Sequence, residues 1–379
     1  MNTMGLQTIS SISLEKNSAQ LGKSGYFSSL GEMLFSDSLD ILANMDDNSI
    51  DLVVTSPPFA LQRKKDYGNK EQYEYVEWLS QFAHLVFRKL KNTGSFVLDL
   101  GGAYQKGAPI RSLYNFRVLL KFCDELGFFL AEEFFWYNPS KLPSPIEWVN
   151  KRKIRVKDAV NTVWWFSKTE WPKANIKNVL TPYSDRMKKL LENPDKYYKP
   201  KDRPSGHSIS ETFSNDNGGA IPSNLLQISN SESNSLYLRR CKLLNIQGHP
   251  ARFPEKLPEF FIKMLTDEHD LVVDIFGGSN TTGFVAEKLN RKWVSIEQSI
   301  EYVASSVLRF LSDDFSKEKI TKIYNDIINL GYIGLDSVNC QMNLFDIIKT
   351  EKTAHNEAEY APVRKVDRMP LKRLGVPAG

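Results

Sequence analysis

The sequence predicts an α/β fold built on a mainly parallel, seven-stranded sheet with helices on both faces. Three observations lead there: apolar runs rich in β-branched and aromatic residues recur along the chain, helical periodicities separate several of them, and two of the runs end abruptly in turn-forming residues.

The strands are expected at 32–35, 50–55, 95–100, 128–136, 160–166, 271–275 and 293–296, and the helices at 39–45, 75–90, 113–126, 281–289 and 300–311. The alternation stops between about 168 and 252. Within that stretch, residues 204–235 are dominated by Ser, Asn, Gly and Pro, which suit loops and turns. A long polar insertion between two parts of one sheet is usually functional or disordered. The last thirty or so residues, from about 349, are charged and poor in apolar side chains, which predicts a disordered tail.

Composition sets limits on function. The chain has 379 residues, 41% of them hydrophobic and 12% aromatic, enough for a sizeable core. No apolar window is long enough for a membrane span, and the first residues lack a basic stretch followed by an apolar one, so a cytoplasmic protein is expected. Cys123, Cys241 and Cys340 are far apart and lack nearby His partners, which predicts neither disulfides nor a metal site. Net charge is only +4, yet between Lys141 and Arg203 sixteen Lys or Arg stand against seven Asp or Glu. A local field of that sign favours a polyanion, although a charge run alone is more often a solvated face.

The run LVVDIFGGSNTTG carries a strand into a glycine turn and then a helix near Thr281. Phe276, Gly277, Gly278 and Ser279 form the turn, where a ligand can approach the backbone closely. Glu297, at the end of the next strand and twenty residues after Gly277, is placed to accept both hydroxyls of a ribose. The spacing of Gly277, Gly278 and Gly283 departs from G-x-G-x-x-G, which disfavours a dinucleotide and its pyrophosphate. A ribose and adenine ligand without phosphates, such as S-adenosylmethionine, needs only the first tight turn. Asp274, just before the turn, is then placed to bind a cationic amine. The segment LGKS near residue 22 lacks the first glycine and the preceding strand of a phosphate loop.

In LVVTSPPF, Ser56, Pro57, Pro58 and Phe59 follow a strand at its carboxyl end, where open α/β sheets bind ligands. The prolines fix their own φ and hold the preceding residues extended, so the Ser56 hydroxyl and Pro57 carbonyl become stiffly held acceptors beside an aromatic ring. That arrangement suits an exocyclic amine on a nucleobase. Accepting both N–H bonds draws the nitrogen toward tetrahedral geometry and frees its lone pair for methyl transfer, while Phe59 stacks on a base turned out of the duplex.

These residues resemble the amino-group DNA methyltransferases in the circularly permuted order, in which the target-amine motif precedes the cofactor motif. TSPPF matches the catalytic tetrapeptide, and DIFGGSNTTG is similar to the cofactor loop D-x-F-x-G-S-G-T-T, with Asn280 in place of a glycine. SPPFALQRKKDYGN, NPSKLPSPIEWVNKRKIRVKDAVNTVWWFSKTEWP and HPARFPEKLPEFF extend the similarity, across residues 33–310, to a cytosine-N4 member of the family. The resemblance implies a Rossmann-like methyltransferase sheet, S-adenosylmethionine as cofactor and double-stranded DNA as substrate. Asp37 would contact the cofactor adenine, Phe253 and Pro254 would lie over its methionine end, and Asp99 would pair with Ser56. It further implies methylation of the inner cytosine of a CAGCTG-like site within a restriction-modification system, by a monomer functionally paired with a cognate endonuclease.

The implied organisation is a catalytic half at 27–167, a target-recognition insertion at 168–248, a cofactor-binding half at 249–312 and an extension at 313–379. Lys151, Arg152, Lys153, Arg155 and Lys157, with Arg63, suit phosphate contacts, and His207 in the insertion is a candidate to read bases. Trp164 and Trp165 continue an apolar strand and are expected in the core. The rival readings are an adenine-N6 methyltransferase on the same scaffold, a catalytically idle DNA-binding regulator, and a nicotinamide-dependent oxidoreductase, which the glycine spacing disfavours.

Overall fold

The structure, a computed structural model, describes residues 24–59, 72–197, 214–231 and 235–338. Ten strands form one mixed sheet: β1 (Gly25–Phe27), β2 (Gly31–Phe35), β3 (Ile50–Thr55), β4 (Leu90–Leu100), β5 (Phe129–Tyr137), β6 (Val160–Ser167), β7 (Leu225–Gln227), β8 (Leu271–Asp274), β9 (Lys292–Glu297) and β10 (Tyr332–Gly334). Their spatial order is β10-β1-β2-β9-β8-β3-β4-β6-β5-β7.

The count of seven needs correction. All seven expected strands are present, and three more, β1, β7 and β10, extend the sheet. Each of the three has three residues, too few for an alternating pattern to stand out, and each is fixed only by the strand it pairs with. β7 lies inside the polar insertion and pairs in parallel with β5.

The pairs β2/β9, β9/β8, β8/β3 and β3/β4 are parallel, while β4/β6 and β6/β5 are antiparallel. All six residues of β3 are buried, as expected for a strand covered on both faces. The helix Gln72–Lys89 supplies one cover, with Tyr75, Leu79, Ala83 and Val86 buried at helical spacing. The helix 113–126 of the sequence reading divides into Tyr114–Leu120 and a wider turn, Lys121–Glu125, that buries Phe122 against Phe96, Phe128 and Phe166. Trp164 and Trp165 are core residues, and Trp165 Nε1 donates to Ser95 Oγ at 2.9 Å. The described residues up to Leu335 form one compact unit. The expected disordered tail, Arg63 and His207 all lie outside the described residues.

Candidate active site

Two strand ends from distant parts of the sequence meet at the centre of the sheet. Thr55 closes β3 and Asp274 closes β8, 219 residues apart, and Thr55 Oγ1 donates to Asp274 Oδ1 at 2.7 Å. The same carboxylate accepts from Phe276 N at 3.1 Å and, through Oδ2, from Thr282 Oγ1 at 2.7 Å. Asp274 is 1% exposed, and burial raises its pKa. Its three protein donors tie the two strand ends and the following turn together, and the residue also borders the cavity described next.

Directly after Thr55, Ser56, Pro57, Pro58 and Phe59 enter the wall of an open cavity of roughly 1500 Å³. Ser56 Oγ donates to Asp99 Oδ2 at 3.0 Å, and Asn161 Nδ2 donates to Asp99 Oδ1 at 3.1 Å. Asp99 reaches Ser56 because β4 runs parallel beside β3, and it reaches Asn161 because β6 runs antiparallel on the other side. Burial pushes the Asp99 pKa up to about 6, against the opposing influence of its two donors and of the Lys141 ammonium. Phe59 lies over Gly101, where an added Cβ would come within 2.5 Å of the ring. A side chain there would displace Phe59.

The glycine turn borders the same cavity with Phe276, Gly277, Gly278 and Ser279. Phe276 packs on Trp78 and Phe82. Gly278 has φ +51°, and its open face is filled by the His249 ring, which stands edge-on to Tyr302 at 4.4 Å. Asn280 replaces the family's glycine in the conformation glycine favours, φ 51° and ψ 47°, which asparagine tolerates better than most residues. Its side chain caps the helix Thr281–Lys288: Oδ1 accepts from Gly283 N at 3.1 Å and from Ser295 Oγ at 2.7 Å, while Nδ2 donates to Tyr26 at 2.9 Å.

Glu297 faces the cavity from the end of β9. One carboxylate oxygen accepts from Gly278 N and the other from Ser299 N, each at 2.9 Å. A carboxylate oxygen can accept more than one hydrogen bond, so capacity remains toward the cavity. Burial raises its pKa. Asp37 accepts from Leu39 N at 2.8 Å, capping the helix Ser38–Asn44, and from Gln298 Nε2 at 2.7 Å. Phe253 lines the cavity, whereas Pro254 is buried behind it and starts the turn into the helix Lys256–Leu265. An acid with accepting capacity toward the cavity, a glycine turn open to close approach and a space larger than one ligand requires fit S-adenosylmethionine with a nucleobase beside it.

A family model described as DNA methylase matches residues 50–308, more than half of the chain. The chain belongs to that DNA methylase family. This methylase is 66% identical over 339 residues to the type II methyltransferase M.PvuII of Proteus hauseri, covering 89% of this chain and all of that protein. It is 26% identical to M.HpaI of Haemophilus parainfluenzae, with 78% of this chain and 80% of that one covered. A solved structure of PvuII DNA methyltransferase (cytosine-N4-specific) superposes with a TM-score of 0.69 at 59% identity, over 83% of this chain and 98% of that one. The fold is the α/β methyltransferase fold, and the methyl donor of this DNA methyltransferase is S-adenosylmethionine.

The basic segment of the methylase lies between β5 and β6, and all five of its expected phosphate-binding residues are exposed. They are not uniformly free to meet DNA. Lys151 and Arg152 both pair with Glu147, at 3.3 and 3.0 Å, and Arg155 and Lys157 donate to backbone carbonyls. Sequence reading missed Asn161, His249 and Lys141. Asn161 carries no motif and becomes visible only through strand pairing, whereas His249 stands in the recognised HPARFP segment and Lys141 in the counted basic excess. Among the described residues no group of three or more His, Cys, Asp or Glu could hold a metal, and no helix is long and apolar enough to cross a membrane.

Proposed function

We propose that the chain methylates the exocyclic N4 of a cytosine turned out of duplex DNA, within a CAGCTG-like site. The observation that carries this reading is the Ser56 to Asp99 hydrogen bond at the mouth of the cavity that Glu297 and the glycine turn also border. Identity of 59% to the structure of PvuII DNA methyltransferase (cytosine-N4-specific) supports the assignment to cytosine over adenine. The permuted strand order, the role of 168–248 in target recognition, action as a monomer in the cytoplasm and pairing with a cognate endonuclease belong to the same proposal.

Ser56 is the centre of the mechanism. Because its hydroxyl proton is directed to Asp99, its lone pairs are left to accept one N–H of the amine, while the Pro57 carbonyl accepts the other. The nitrogen lone pair then points out of the base plane. When bound, S-adenosylmethionine would supply an electrophilic methyl group to it. The proton lost by the amine passes through Ser56 to Asp99, a carboxylate whose raised pKa suits it to take a proton near neutral pH. Asn161 holds the other carboxylate oxygen, so Oδ2 stays aimed at Ser56. Phe59 provides the stacking face.

The test is to incubate the pure protein with DNA and labelled cofactor, digest the product to nucleosides and identify the modified one, then map its position. N4-methylcytosine at one sequence is the expected result. N6-methyladenine would transfer the same mechanism to the other base, and unmodified DNA would refute it.

A further inference from the structure

The excursion between β5 and β6, residues 138–159, exposes the apolar side chains of Leu142, Ile146, Ile154 and Val156, and of these Leu142 directly follows a residue of the cavity wall. Leu142 is 81% exposed, and its neighbour Lys141 lines the cavity. A single exposed leucine needs no explanation in general. Here, however, the backbone that carries it is braced. Pro143 restricts Leu142 to extended geometry. Lys157 Nζ donates to the carbonyls of Pro139 at 3.1 Å and of Lys141 at 3.3 Å, which fixes the chain on the approach to Leu142. Asn138 N donates to Ala159 O at 2.9 Å and Asp158 N to Ser144 O at 3.0 Å, closing the base of the excursion. Lys151, Arg152, Lys153 and Arg155 stand exposed on the same excursion, so its charge matches a phosphate backbone.

We propose that Leu142 is the wedge that enters the duplex and fills the gap left when the target base swings into the cavity. The proposal rests on the base-extrusion reading above. Extrusion exposes the apolar faces of the two flanking base pairs and leaves the partner base without its mate. An apolar side chain inserted at that point covers those faces and blocks the return of the base. The wedge therefore acts on extrusion and not on methyl transfer to a base that is already out.

The experiment compares two duplexes that carry the unmodified target site, one fully paired and one with an abasic position opposite the target base, which makes extrusion easier. Leu142→Ala is expected to lower turnover of the paired duplex by about ten-fold or more, to leave cofactor affinity unchanged, and to come within about two-fold of wild type on the duplex with the abasic position. Leu142→Met, which keeps the bulk, should retain turnover on both. An equal deficit on the two duplexes, or none on the paired one, overturns the wedge. Wild-type enzyme inactive on both would bring down the extrusion reading and the wedge together, whereas wild-type activity with an unaffected Leu142→Ala brings down the wedge alone.

Discussion

Asp99 has to be both buried and charged, and the two demands pull in opposite directions. Its pKa is raised to about 6 by burial, so the folded protein binds the Asp99 proton more tightly than the unfolded chain does. The sign follows directly: folding is relatively favoured below the ordinary carboxylate pKa, and that advantage is lost as pH rises through about 6. Ionised Asp99 at pH 8 then costs on the order of 3 kcal/mol. Asp99→Asn should accordingly melt at or above the wild-type temperature at pH 8 and lose about half of that margin at pH 5. Its methylation rate should fall steeply at both. The wild-type rate of the chemical step should climb with pH and level off above about 6, measured by single-turnover methylation. At Ser56 the expectation differs, because in the proposed mechanism its hydroxyl meets the base and not the sulfonium. Ser56→Ala should keep S-adenosylmethionine affinity within a few-fold by calorimetry while turnover drops by at least about a hundred-fold. Ordinary turnover in that variant would remove Ser56 from the mechanism.

At the scale of single elements, the glycine turn depends on a residue that departs from its motif. Asn280 gives the turn a left-handed residue and, fully buried, ties together the helix start, β9 and Tyr26. Asn280→Gly preserves the backbone and deletes the amide, leaving buried partners without it, so a loss of about 1–3 kcal/mol in stability is expected from chemical denaturation. Cofactor affinity should weaken with it. The excursion between β5 and β6 behaves differently, because its ion pairs are exposed. Arg152 and Lys151 hold the Glu147 carboxyl below its usual range, and in return Glu147 occupies two cations suited to phosphate. Glu147→Gln should tighten DNA binding by about two- to five-fold at low salt, with the gain fading as salt rises. Fluorescence anisotropy across a salt series measures both effects.

For the whole molecule, the decisive fact is that β8 and β9 sit between β2 and β3 although most of the sequence separates them from either. Ser56 and Glu297 therefore come to border one cavity only once the sheet has formed. A chain divided between residues 248 and 249 leaves Ser56 and Asp99 on one piece and Asp274, the glycine turn and Glu297 on the other. Neither piece alone should bind S-adenosylmethionine in a calorimeter. Binding by the second piece alone would mean that the turn and Glu297 suffice without the sheet beside them.

The amino-acid sequence by itself determined the seven long strands, the diproline corner, the glycine turn and the acid after it, because each is local: periodicity, proline and glycine act on their own stretch of backbone. It also placed both tryptophans of β6 in the core. Tertiary structure alone decided the three short strands, whose pairing outweighs any propensity three residues can carry, and the hydrogen bonds of Asp274, whose donors come from strand, turn and helix together. It decided Asn161 as well, since the register of β6 against β4 brings that side chain to Asp99, and a contact made across strands leaves no mark in either strand's own sequence.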